Sequence, residues 1–410
     1  GLVAGASVFA LAGSNVSLGS ALRIGALYLG PFHHVGVVVE GELAVDATRL
    51  PGADLPAGGS ATVEVGVALL AVTALAVWLL FRAGRASAFG GGASVRALSG
   101  ARVALGYAPA VLLVALLVRF EEPVELGSFV TGSVRISLSP WQALVFPSAI
   151  AALAGAAGGV WSWATSVRDR PAATRTRAVL GGGWRMFLLA IALSLAGLFV
   201  AGIAQPDEPV ALATPSTARY VHTVFERPGP GIAIVAHHVA LAPAEALWVL
   251  VPAAGGCDVI RGSERSDVLC YRRFPTGLTS TGEVAFGRAP VGYLAFLLVP
   301  AIATILGGRW AAVAAGRPGS PGLAVGAASG VAFAVLVLAG CLLSSVTLSY
   351  EAARDVAGPT AGSFRIGPDP VAGTLLAFGW GVLGGGLGAA SAGLRIRTGA
   401  RTPAGSPGSR

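Results

Sequence analysis

The chain has 410 residues, 54% of them hydrophobic and only 12% charged, and its mean hydropathy is +0.74. A soluble domain carries charge on about a quarter of its residues, so this composition belongs to a membrane protein. The net charge of +8 would suggest a nucleic-acid partner if the 28 basic residues, all arginine, formed one face; they fall instead in short clusters between apolar runs, which excludes that class.

Gly1 opens an apolar stretch with no Met, charged leader or cleavage site, so a partial first span is expected before Ser14, in a chain truncated at its N-terminus. A helix needs about 20 mostly apolar residues to cross the hydrocarbon core. Complete spans are predicted near 63–81, 103–118, 141–165, 185–204, 291–308, 322–348 and 371–394. Ionisable groups within them are confined to ends, at Glu64 and Arg185. No alternating barrel pattern is present, so the predicted class is all-α: a polytopic helical membrane protein.

The connections set the orientation. Arg82, Arg85, Arg96 and Arg102 fill one; Arg168, Arg170, Arg175 and Arg177 another; Arg309 and Arg317 a third; Arg395, Arg397, Arg401 and Arg410 the tail. The intervening connections carry Glu40, Glu42, Asp46 and Asp54, then Glu121, Glu122 and Glu125, then Asp207 to Glu283, then Glu351, Asp355 and Asp369. By the positive-inside rule this alternation predicts eight spans in the plasma membrane with both termini cytoplasmic. The tail at 398–410 reads as disordered.

Two motifs recur. Gly132-Ser-Val-Arg-Ile-Ser-Leu-Ser-Pro140 returns as Gly362-Ser-Phe-Arg-Ile-Gly-Pro-Asp-Pro370, and His33-His34-Val35 returns as His237-His238-Val239. They divide the chain into tandem four-helix units, 1–167 and 185–397, joined by a cytoplasmic linker at 168–184, the second unit carrying a large outer loop at 205–290. An even number of spans per unit preserves orientation, as in parallel-repeat transporters. The His-bearing segments, Ala21–Val39 and Gly231–Val251, are apolar but interrupted near Pro31 and Pro243, and read as re-entrant or interfacial helices.

Candidate site residues follow from these motifs. His33, His34, His237 and His238 would hold a transition metal or titrate with external pH if the units bring them together; the plainer role is anchorage at the headgroup level. Arg135 and Arg365 match in the repeat and would clamp a headgroup or pair with a neighbour such as Glu125 or Asp369. Cys257 and Cys270 share one outer loop, where they form a disulfide or remain two thiols, while Cys341 is a packing residue. Gly384 and Gly388 have the small-residue spacing that lets a second helix approach. No Walker, HExxH, GxSxG or zinc CxxC motif occurs, and no cofactor is implied. No carboxylate lies at mid-span, as ion-coupled transport usually requires.

The succession Ala21–Val39, Trp78-Leu-Leu-Phe-Arg-Ala-Gly-Arg85, Gly106-Tyr-Ala-Pro, Ala154-Gly-Ala-Ala-Gly-Gly-Val-Trp161 and Ala242-Pro-Ala-Glu-Ala-Leu-Trp248 resembles polytopic proteins of actinobacteria, of the streptophobe type and the PerM-like type associated with cell division. The resemblance implies a non-enzymatic protein supporting envelope integrity or division, with the bilayer and envelope or division proteins as partners. The alternative is a transporter or flippase for a lipid or apolar solute, built from the two repeats.

Overall fold

The computed structural model describes residues 26–27, 29–45, 58–66, 69–126, 130–167, 171–204, 228–262, 266–278, 284–289, 291–317, 320–352 and 361–399. The partial span before Ser14 and the tail from 400 lie outside them. In chain order the elements are α1 (Leu29–Phe32), β1 (Val37–Val45), β2 (Gly58–Gly66), α2 (Leu70–Ser87), α3 (Ala93–Ala101), α4 (Val103–Leu117), β3 (Arg119–Leu126), β4 (Val130–Leu138) and α5 (Pro140–Ser166). The second half holds α6 (Pro171–Ala204), α7 (Pro228–Ala253), β5 (Asp258–Gly262), β6 (Ser266–Leu269), β7 (Phe274–Leu278), β8 (Val284–Gly287), α8 (Leu298–Ala314), α9 (Leu323–Ser344), β9 (Val346–Ala352), β10 (Ala361–Pro368) and α10 (Pro370–Gly399). Short 3₁₀ turns at Val291–Leu297 and Ser320–Gly322 lead into α8 and α9.

Seven helical stretches among the described residues are long and apolar enough to cross a membrane: Leu70–Ser87, Ala93–Leu117, Pro140–Ser166, Pro171–Ala201, Val291–Ala314, Ser320–Ser344 and Pro370–Gly393. They match the predicted spans with shifted ends. The first begins at Leu70 rather than 63, because Glu64 belongs to a strand, and the fourth starts at Pro171, so the predicted linker is helical from that residue on.

The all-α expectation is corrected by an eight-stranded sheet of order β3-β4-β1-β2-β9-β10-β5-β6, every neighbour antiparallel. Parts of the supposed outer loops are its strands, while β7 and β8 pair in a separate two-stranded sheet. β-Branched residues alternating with polar ones prefer a pleated, two-faced surface. Val37, Val39, Val63, Val65, Ile136, Leu138, Leu348 and Ile366 share one face by register; Glu40, Glu42, Thr62, Arg135, Ser349 and Glu351 share the other. The apolar face meets the bundle at its foot, where Leu138 and Val37 pack with Val35, Ala115 and Ala143. Farther out both faces stay open: Phe364 is 39% exposed, and the Arg135 side chain on the opposite face 46%. The edge strands are poor templates for further pairing, since β3 carries Pro123 among glutamates and β6 is four residues long.

Glycines bring the helices into backbone contact, and the same arrangement occurs twice. Gly155 of α5 lies against Gly84 of α2 and Gly100 of α3; Gly385 of α10 lies against Gly308 of α8 and Gly326 of α9. Gly158 faces the backbone of Phe81 and Arg85, as Gly388 faces that of Ile305 and Arg309. A Cβ at these positions would meet backbone rather than a movable side chain. The largest buried cluster lies in the second half, where Met186, Leu247, Val251, Phe333 and Val337 come together.

Candidate functional site at the junction of sheet and bundle

His33 and His34 follow α1 in a turn at the foot of β1. His33 is 4% exposed; its Nδ1 pairs with the Leu29 carbonyl at 2.8 Å and its Nε2 with the Tyr107 hydroxyl, so both ring nitrogens are engaged by the fold. His34 adopts a left-handed backbone, φ 61°, a conformation unusual for a residue with a side chain. Its ring meets Phe146 edge-on at 5.2 Å, and its Nδ1 is buried with no partner among the described residues. Burial holds both imidazoles below the usual histidine range, and for His34 the Arg365 guanidinium adds to the effect.

His237 and His238 occupy the interior of α7, a different setting from the turn at His33 and His34, and their side chains lie outside the described residues. The backbone counterpart of His34 is Gly255, also left-handed at φ 99°. In each turn the next N–H returns to a carbonyl five residues back: Val35 to Gly30 at 2.8 Å, and Gly256 to Val251 at 2.9 Å. Among the described residues no three His, Cys, Asp or Glu side chains form a group that would hold a metal.

The two matched arginines do different work. Arg135 bridges Glu40 and Glu121 across three neighbouring strands, at 3.4 Å each, with all three side chains well exposed; the Glu125 side chain lies outside the described residues. Exposed pairs of this kind contribute about 0–1 kcal/mol. Arg365 donates to Ser345 Oγ at 3.0 Å, within the second half, and its charge disfavours the protonated form of His34 across the junction. Asp369 instead caps α10, its Oδ1 accepting from the Val371 and Ala372 N–H groups. A second polar link fastens the first half: the Gln142 side chain of α5 accepts from Gly36 N–H at 2.6 Å and donates to Glu64.

Cys257 and Cys270 are joined by a disulfide, Cα atoms 4.6 Å apart, which ties the start of β5 to the end of β6. Next to it Asp258 is 4% exposed, and its Oδ1 has no partner among the described residues. Burial without a counter-charge pushes this carboxyl well above the usual range. Sequence reasoning passed over Asp258 because an acid beside a cysteine in a polar stretch carries no local signal of burial. Comparison with protein-family models, curated proteins and solved structures finds no match to this chain.

Proposed function

We propose that this membrane protein works in the cell envelope without catalysis, using its two-faced sheet as a platform for other envelope proteins and its glycine-packed helices as the anchor. The carrying observation is the continuous eight-stranded sheet whose apolar face remains half-exposed beyond the helix ends. Such a surface is a ready site for a protein contact. The PerM-like resemblance, with its link to envelope integrity or division, agrees with this reading.

The proposed layout has eight spans as two four-span units in the plasma membrane, with both termini cytoplasmic. Sidedness is supported by Arg82, Arg85, Arg96, Arg102, Arg309 and Arg317 at the helix ends opposite the sheet, whereas the sheet itself mixes Glu40, Glu42, Glu121 and Glu351 with Arg119, Arg135, Arg261 and Arg365. A single sheet lies on one side of a bilayer, and pairs of candidate spans, α2 with α3–α4, α5 with α6, and α8 with α9, return the chain to that side. The tandem reading is supported by the duplicated glycine contacts and by two matching links, Ser139 N–H to the Gly36 carbonyl and Asp369 N–H to that of Cys257.

Photo-crosslinking in intact cells tests the platform. Probes at Val39, Val63 and Phe364 on the apolar face are expected to trap the same envelope protein, whereas one at lipid-facing Leu387 traps none; no protein adduct from any sheet position refutes it. The second reading, a transporter or flippase for a lipid or apolar solute, is favoured by the two equivalent helix packs. Reconstituted vesicles in which labelled lipid crosses no faster than in protein-free vesicles would eliminate it.

A further inference from the structure

At the end of the bundle opposite the sheet, α2, α3 and α5 enclose a pocket of about 510 Å³ lined by Arg82, Arg85, Arg96, Ser162, Thr165 and Ser166. Its floor is fixed, because Gly84, Gly100, Gly155, Gly158 and Gly159 hold these three helices backbone to backbone directly beneath it. Arg96 is oriented by the fold: Nε donates to the Gly90 carbonyl at 2.7 Å, and Nη1 to the Ser162 carbonyl at 3.2 Å and Ser166 Oγ at 2.9 Å. The Ser166 hydroxyl donates to the Trp163 carbonyl of its own helix and so meets Arg96 as an acceptor, while the Thr165 hydroxyl donates to the Ser162 carbonyl. Arg82 lies 4.9 Å over the Trp78 ring. No carboxylate among the described residues pairs with any of the three guanidiniums.

Helix packing does not demand this concentration of charge. The second glycine-packed set has Arg309 where the first has Arg85 and Arg395 where it has Thr165, but Leu306, Gly322 and Ala392 stand at the places of Arg82, Arg96 and Ser162, so the three arginines of the pocket are not repeated. Three guanidiniums lining one pocket, with no carboxylate partner among the described residues, suit a phosphate, whose oxygens accept their planar, paired N–H donors. The surroundings identify the phosphate as a lipid's. Leu75, Trp78 and Leu79 stand about half exposed on α2 below the pocket, and Phe81 meets Trp161 at 6.4 Å between ring centres, an aromatic layer of the kind found at the bilayer surface. Acyl chains of a lipid held at the pocket would run down that wall.

We propose that this pocket binds the phosphate of an anionic phospholipid, held by Arg82, Arg85 and Arg96. Native mass spectrometry of the purified protein with equimolar phosphatidic acid and phosphatidylcholine tests it. The wild-type chain is expected to retain phosphatidic acid at least about tenfold over phosphatidylcholine. The R82Q/R85Q double variant should fall to within about twofold of parity, while R309Q keeps the wild-type preference. Both arginines are exposed, so unchanged thermal unfolding of the double variant shows that the loss is local, and R85Q alone gives the same readout if the double variant does not fold. A preference that survives R82Q/R85Q overturns the assignment, as does equal retention of the two lipids. Inorganic phosphate at millimolar concentration separates the sources: if it raises the unfolding temperature of lipid-free protein while phosphatidic acid is not retained, a soluble phosphate ligand replaces the lipid and the proposal fails.

Discussion

Adding one methyl group at Gly155 or Gly385 should loosen one helix pack and leave the other intact. A Cβ on Gly155 lies 3.0 Å from the Gly100 carbonyl carbon, with the oxygen nearer, and one on Gly385 lies 3.0 Å from that of Gly326. Carbon atoms rest at about 3.5–4.0 Å, so the helices must part by roughly 0.5–1 Å. Both obstacles are main chain, so no rotamer change relieves them. Overpacking of this kind costs about 1–3 kcal/mol, and at about 2–4 °C per kcal/mol for domains of 150–250 residues the loss in Tm is about 2–12 °C. Gly106, Gly379 and Gly386 are the controls, because a Cβ there meets nothing within 4 Å. Alanine at these positions should be neutral or stabilising by up to about 1 kcal/mol through helix propensity. The assay is thermal unfolding in one detergent, followed by circular dichroism and by size-exclusion recovery. If G155A and G385A unfold at or above the wild-type temperature, alongside the controls, backbone contact does not set the helix spacing and the reasoning fails.

Acid should weaken the junction at His33 and His34, whose imidazoles burial holds below the usual range. The unfolded chain then takes up protons first as pH falls through about 6.5, so their contribution is full above that value and declines towards the lower folded-state pKa. Tm measured at pH 7.5 and pH 5 should fall with acid, and H34Q should flatten the decline; an identical decline in the variant counts against it. Asp258 has the opposite sign, since its raised pKa means that stability is lost as pH climbs above the ordinary carboxyl value. D258N should therefore raise Tm at pH 8 and change little near pH 4; a loss at pH 8 would mean that the carboxylate is satisfied. Replacing Cys257 and Cys270 together by serine opens a loop with a sequence separation of 13 and should cost about 3 kcal/mol on the chain-entropy model, read as a lower Tm that reducing agent no longer affects.

The spans were legible because an apolar run long enough to cross a bilayer has few other uses, and Gly384 and Gly388 revealed a close helix approach through their spacing alone. The sheet was not. Each strand is a short alternation of Val or Ile with Glu, Ser or Thr, and its partner is fixed by residues far along the chain, as where Val65 meets Leu348. The apolar segment ending at Val39 looked helical because composition outweighed its β-branched content, although α1 stops at Phe32 and a strand starts at Val37. The likeness of His33-His34 to His237-His238 was one of letters: the first pair closes a turn and the second lies within a helix. Arg82, Arg85 and Arg96 were read for sidedness alone, and nothing local foretold that Ser162 and Ser166 would complete a pocket with them.

The β2–β9 ladder, six residue pairs from Ala61↔Ala352 to Gly66↔Thr347, is the main-chain join between the two halves outside the membrane. A hydrogen-bonded ladder resists sliding along its length far more than folding about it, because slippage by one residue breaks every pair and turns each side chain to the wrong face. The join therefore opposes sliding of one half past the other in depth, and Leu70 of α2, packed among the buried residues of the second half, ties the halves on the helix side as well. Displacement of one half against the other along the strand direction should therefore be the motion this protein resists most.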